Sequence, residues 1–292
     1  RASWHTLSML DRNERHRGRG IYLLPNLLTT LALFAGFYAI VAAIDGNFVR
    51  AGIAVFVAMV MDGADGRVAR MTSTQSTFGK EYDSLSDMVS FGLAPAVVVY
   101  QWGVARLAEY SLAWGRIGWL VAFLFAVCAA LRLARFNAVP SKLGKAWFQG
   151  LPSPSAAALV AAFVWLSADY GLSGFGGLVS GFVITAAAGA AMVSNLHYYS
   201  FKTINLGRKV SFASLLLVPL IIALISIEPP LVLFLLFFVY ALSGPLTWWM
   251  ARRPSRLATL DDDEEEIEHN EHDAVSETTN ETTSDAESTD RG

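Results

Sequence analysis

Sulfur and imidazole are scarce in this chain. Its 292 residues include one cysteine, Cys128, inside an apolar run. A lone thiol excludes a disulfide framework and a thiolate metal site, which leaves Cys128 as packing. None of the five histidines falls between Met61 and Asp87, where acids gather, so that window lacks the ligands of a zinc site. Charge is thin as well: Asp, Glu, Lys and Arg make up 16% of the chain against 54% hydrophobic residues, with a mean hydropathy of +0.42. This balance excludes an ordinary soluble domain and a disordered chain alike, and implies a polytopic membrane protein. The opening RASWHTLSMLDRNERHRGRG has neither the continuous apolar region nor the cleavage site of a signal peptide, so the first span is expected to direct insertion.

The net charge of −3 conceals two opposed parts. Residues 1–256 hold 21 Lys plus Arg against 11 Asp plus Glu, whereas residues 257–292 hold one Arg against 14 acids. Residues 253–292 therefore read as an acidic, disordered cytosolic tail, with His269 and His272 part of its solvated surface. Residues 1–20 carry five Arg and read as a cytosolic juxtamembrane arm; Trp4, Leu7 and Leu10 leave open a surface-lying helix or a short disordered segment. Between them, residues 21–252 form the membrane domain. Its apolar runs predict an all-α bundle of about eight transmembrane helices near residues 21–44, 51–70, 82–104, 117–136, 156–168, 176–192, 212–227 and 231–249. With the N-terminus in the cytosol, 18 Lys and Arg fall in cytosolic segments and three (Arg50, Arg106, Arg116) on the opposite side, a strong positive-inside signal.

Against this apolar background, the window from Asp62 to Asp87 holds five carboxylates and reads D-x2-D-G-x2-A-R-x8-G-x3-D-x3-D. On a helix Asp62, Asp65, Gly66, Ala69 and Arg70 share one face, and Asp83 and Asp87, four apart, make an acidic face on a second helix. The small polar residues from Thr72 to Thr77 make a turn that would fold one helix beside the other. Four carboxylates held together repel unless they share protons or bind a cation, and oxygen-only ligands select hard ions such as Mg²⁺, Mn²⁺ or Ca²⁺.

The spacing resembles, at all eight positions, the signature of the CDP-alcohol phosphatidyltransferases, membrane enzymes that move a phosphatidyl group from a CDP-linked lipid onto an alcohol and release CMP. The resemblance implies that Asp62, Asp65 and Asp83 ligate metal, as a pair of ions, and that Asp87 is a ligand or the general base. It implies that Gly66 lets the nucleotide approach the helix backbone, that Arg70 faces the diphosphate, and that Gly79, Asn26 and Thr29 lie near the nucleotide. Outside the signature, RLARFN (Arg132 to Asn137), FQGLPSP (Phe148 to Pro154) and SNLHYYSFK (Ser194 to Lys202) resemble the integral-membrane phosphatidylserine synthases of bacteria and archaea. That narrower likeness implies CDP-diacylglycerol and L-serine as substrates, a homodimer among membrane lipids, no nucleic-acid partner, and a cytosolic active site in the inner membrane. Arg132, Arg135 and Lys202 are the candidate cations for an acceptor carboxylate or a lipid phosphate. Snorkelling to the interface accounts for Arg132 and Arg135 equally well, and glycerol 3-phosphate would suit the same cations. A transporter would show internal repeats or charges at mid-membrane, and a scaffold would leave the four aspartates unexplained.

Overall fold

The computed structural model describes residues 23–72, 76–138, 147–199, 219–220 and 223–251. Both terminal segments, the loop with Lys142 and Lys145, Lys202 and most of the expected seventh span lie outside them. The chain forms two compact units, Arg1–Pro245 and Leu246–Gly292.

Helices dominate, in the order α1 (Leu23–Ile44), α2 (Phe48–Met71), α3 (Thr77–Asp87), α4 (Ala94–Trp102), α5 (Leu112–Ala138), α6 (Ser153–Asp169), α7 (Phe175–Val193) and α8 (Pro229–Ala251). The hairpin of α1 and α2 turns at Gly46, whose positive φ of 74° lets Gly46 N–H and Asn47 N–H reach back to the carbonyls of Ala43 and Ala42. Alanines make the seam: Ala35, Ala39, Ala42 and Ala43 of α1 and Ala51, Ala54 and Ala58 of α2 are all buried. Small side chains let two helix backbones approach closely where lipid supplies no hydrophobic drive for association. Phe34, Phe37, Val57 and Val60 point outward, as suits a surface solvated by acyl chains.

α6 is the central helix. Eleven of its seventeen residues are buried, from Ser153 through Ser167, on every side of the helix. Around it, four helices are long and apolar enough to cross a bilayer: Pro25–Ile44, Leu112–Ala138, Phe175–Val193 and Pro229–Met250. The protein is an integral membrane protein. α2 is as long as these, but Arg50, Asp62, Asp65, Arg67 and Arg70 break its apolar run.

The expected third span is not one regular helix. Between α3 and α4 the chain widens into a π-helical turn, Met88–Leu93, and after Trp102 it tightens into a 3₁₀ turn, Val104–Glu109. Pro95 at the start of α4 has no N–H to offer the preceding turn, which accounts for the widening. The widened turn seats Ser90 against α1: its hydroxyl donates to the Ala32 carbonyl at 3.1 Å, and a Cβ on Gly36 would stand 2.5 Å from Ser90 Oγ and 2.7 Å from Ser90 Cα.

An all-α bundle omits one element found here. Trp147–Gln149 (β1) pairs antiparallel with His197–Tyr199 (β2), with Phe148 opposite Tyr198. Gly150, at φ 77°, ends β1, and a Cβ there would run into the Met192 carbonyl. Tyr198 is fully buried and donates from its hydroxyl to the Ala241 carbonyl at 3.1 Å, while Tyr240 donates to the Tyr199 carbonyl at 3.1 Å, tying α8 to the ladder. Burial, with Tyr240 beside it, pushes the Tyr198 phenol up to about 12, so it remains a neutral donor.

Gly36→Ala is expected to lower stability by about 1–3 kcal/mol, because the added methyl meets the Ser90 backbone as well as a movable side chain. Gly176→Ala, whose Cβ would meet nothing within 4 Å, is the control and should not lower it. Thermal unfolding in detergent measures both.

Candidate active site

Two helix termini meet to build the site. α2 carries Asp62, Asp65, Gly66 and Arg70 in its C-terminal half, and α3 carries Asp83 and Asp87 in its last two turns. Ser76 caps α3 by accepting from Gly79 N–H at 2.9 Å, which fixes where the helix starts and hence which residues face α2. Asp62, Asp83 and Asp87 each offer a carboxylate oxygen, and the three oxygens lie within 4.8 Å of one another. Asp62 stands within hydrogen-bonding reach of both Asp83 and Asp87.

The fourth aspartate is placed by α1. Thr29 donates its hydroxyl to Asp65 Oδ2 at 2.7 Å, and Ser86 donates to the Thr29 carbonyl at 3.2 Å. One threonine thus links the α2 acid to the helix that carries the opposing acids. Thr29 and Asp65 are both buried, so the bond is made where water cannot replace it. A second tie, 2.9 Å between the Thr30 and Tyr82 hydroxyls, holds α3 to α1 one residue further along.

A cleft of about 600 Å³ opens beside the acids, large enough for part of a nucleotide. Asn26, Thr29, Gly66, Arg70 and Gly79 all line it, together with Asp65 and Asp83. The bare Cα of Gly66 faces only the Arg70 guanidinium, 3.5 Å from where a Cβ would be. At Gly79 a Cβ would crowd Ser76 Oγ at 3.1 Å and Asn26 Oδ1 at 3.3 Å, so glycine keeps this wall thin. Lys80 and Thr77 also line the cleft. Neither was singled out from the sequence as a site residue, although Lys80 follows the signature glycine directly.

Asp87 does not line this cleft, and its charge interacts with that of Arg132 on α5. Arg132 lies near enough to interact electrostatically with Asp87, Arg135 and Tyr240, and its Nη1 donates to Ser153 Oγ at 3.1 Å. Its Nε is buried without a partner among the described residues. Arg135 makes different bonds: it donates to the Gln149 carbonyl at 2.9 Å and the Val193 carbonyl at 3.4 Å, pinning β1 to the end of α7. Asn137 donates to Ser84 Oγ at 2.7 Å, and Gln149 donates to Asn195 Oδ1 at 2.8 Å. Lys202 lies outside the described residues.

The donor set fits a divalent cation. Asp83 Oδ1 is buried with no hydrogen-bond partner among the described residues, beside two further carboxylates. A bare carboxylate oxygen in a cluster of like charge is costly unless a cation faces it, and oxygen ligands alone suit a hard ion.

The family model for CDP-alcohol phosphatidyltransferase matches residues 22–193, which span α1 through α7 and every acid of the cluster. The chain belongs to the CDP-alcohol phosphatidyltransferase family. Similar relatives include a CDP-diacylglycerol--serine O-phosphatidyltransferase of Helicobacter pylori, 36% identical over 78% of this chain and 92% of its own length. One of the same name from Mycobacterium tuberculosis is 29% identical over 84% of this chain and 86% of its own. An archaetidylserine synthase of Methanothermobacter thermautotrophicus is 36% identical over 60% of this chain and 69% of its own. As a CDP-alcohol phosphatidyltransferase, the protein is an enzyme, and metal dependence is general in the family.

Thr29→Val keeps the shape of the side chain and removes the bond to Asp65. It is expected to raise the divalent-ion concentration needed for half-maximal CMP release by about 10- to 100-fold, with Thr29→Ser restoring it. A metal titration of CMP release at fixed substrate checks this.

Proposed function

We propose that this enzyme transfers the phosphatidyl group of CDP-diacylglycerol to the hydroxyl of L-serine, giving phosphatidylserine and CMP. The observation that carries the reading is the acidic site. Acids of α2 and α3 line a cleft that also holds Arg70 and Lys80, and Asp87 interacts as well with the half-buried Arg132 of α5. The relatives named as serine transferases support serine as the acceptor.

Each residue has a chemical task in this reading. Arg70 and Lys80 donate to the diphosphate, and Asn26, Thr29, Gly66 and Gly79 shape the wall on which the nucleotide lies. Asp62, Asp65, Asp83 and Asp87 would hold a pair of Mg²⁺ or Mn²⁺ ions, which when bound would neutralise charge on the diphosphate oxygens. Asp87 takes the proton from the serine hydroxyl. The serine oxygen then forms a bond to the phosphorus that bears diacylglycerol, while the bond from that phosphorus to the bridging oxygen breaks and CMP leaves with the bond's electrons. Arg132, held by Ser153, faces the serine carboxylate. Arg135 acts indirectly, by keeping the β1 segment in place.

The same reading assigns the topology. Eight crossings put both termini and the aspartates on the cytosolic face of the inner membrane, where 18 of the basic residues outside the tail lie. Two copies pair within the bilayer, as the family leads us to expect; the small-residue stretch of α7 allows close helix packing without naming the partner surface.

With purified protein, CDP-diacylglycerol and Mn²⁺, CMP release is expected to depend on L-serine and not on glycerol 3-phosphate. Labelled product from glycerol 3-phosphate alone would discard the serine assignment. Asp87→Asn is expected to lower kcat by roughly 10²- to 10⁴-fold, the usual contribution of a general base. Near-normal turnover would remove Asp87 from that role.

A further inference from the structure

The opposite end of the bundle holds a second pocket, about 540 Å³, that the reaction does not use. It lies between the turn joining α1 and α2, the end of α4 and the turn joining α6 and α7. Asn47, in its wall, and Asp65 are 18 residues apart on α2, about 27 Å along a helix, close to the hydrocarbon thickness of a bilayer. The pocket therefore opens at the far membrane surface when the aspartates stand at the near one.

Its chemistry is that of a charged, polar ligand. Ser167 is 1% exposed, and its hydroxyl has no hydrogen-bond partner among the described residues. A buried hydroxyl left unpaired is costly, and this one belongs to the pocket wall. The start of α2 forms another part of the wall: Asn47 caps Arg50 N–H, while the first-turn N–H groups of Phe48 and Val49 have no partner within the helix. Arg106 adds a guanidinium, and Asp45 puts a carboxylate beside these donors. Backbone and hydroxyl donors, a guanidinium shared with Glu109 and a carboxylate in one pocket wall match a ligand carrying both an anion and an amine. A purely anionic group would meet Asp45 in repulsion. The floor includes the indole of Trp102, an aromatic suited to the membrane interface.

We infer that this pocket binds the headgroup of an amine-bearing zwitterionic phospholipid of the phosphatidylethanolamine type. The phosphate sits at the α2 N-terminus with Ser167 and Arg106, and the ammonium faces Asp45. A bound lipid would brace three inter-helix turns at once, at the end of the molecule away from the chemistry.

The test uses the full-length protein, delipidated in detergent, with native mass spectrometry of added lipids of matched chains. Phosphatidylethanolamine is expected to be retained more strongly than phosphatidylglycerol or phosphatidylcholine. Ser167→Ala and Asp45→Asn should each weaken its retention by roughly threefold to tenfold, the equivalent of one or two hydrogen bonds. CMP release by both variants should match the parent at saturating substrate, which also shows that they fold. Retention against an excess of water-soluble glycerophosphoethanolamine is expected; displacement by it would overturn the lipid assignment in favour of a free zwitterion. Equal retention of the three lipids, or unchanged retention in both variants, would overturn the site.

Discussion

Like charge held in a small volume is the constraint on which this molecule turns. Asp62, Asp83 and Asp87 bring carboxylate oxygens within 4.8 Å of one another near the end of a membrane bundle, and Asp65 is held next to them by Thr29. Such an arrangement is a cost to folding unless a cation or shared protons answer it. The surrounding structure supplies the stiffness that keeps the acids together. The alanine seam of α1 and α2 fixes one helix, and the Ser76 cap and the Thr30–Tyr82 bond fix the other.

Two groups of residues adjoin these acids. On the cleft side, glycines at 66 and 79 keep the wall low between Arg70 and Lys80. On the α5 side, Arg132 approaches Asp87 with Ser153 as its anchor, and the β1–β2 ladder closes over the ends of α5 and α7 through Arg135. The π turn at Met88–Leu93 directly follows Asp87, so the last acid sits where the helix changes its pitch. Widened turns of this kind recur at functional sites because they re-aim side chains without ending the helix.

Much of this was legible in the residues. The i, i+3, i+4 spacing of Asp62, Asp65 and Gly66, and the four-residue step from Asp83 to Asp87, predicted two acidic faces because helical periodicity is local and strong. Several helix positions followed the apolar runs closely, as at α7, expected near 176–192 and found at Phe175–Val193, whereas the expected third span is broken by the π and 3₁₀ turns. The β1–β2 pair was not legible: its strands are three residues long and nearly fifty residues apart, and pairing at that distance leaves no periodic trace. Nor was the difference between Arg132 and Arg135. Both stand in one RLAR stretch, and only the packing of Ser153, Gln149 and Val193 around them sends one toward Asp87 and the other to main-chain carbonyls. Lys80 was missed because a lysine beside a turn reads as solvated until the cleft is seen.

Direct binding of Mn²⁺ to the purified, substrate-free protein, followed by electron paramagnetic resonance, tests the central claim most directly. Saturable binding of one to two ions per chain, lost in Asp83→Asn while the thermal unfolding midpoint of the metal-free protein is kept or raised, is the predicted result. An Asp83→Asn protein that binds Mn²⁺ as the parent does would contradict it.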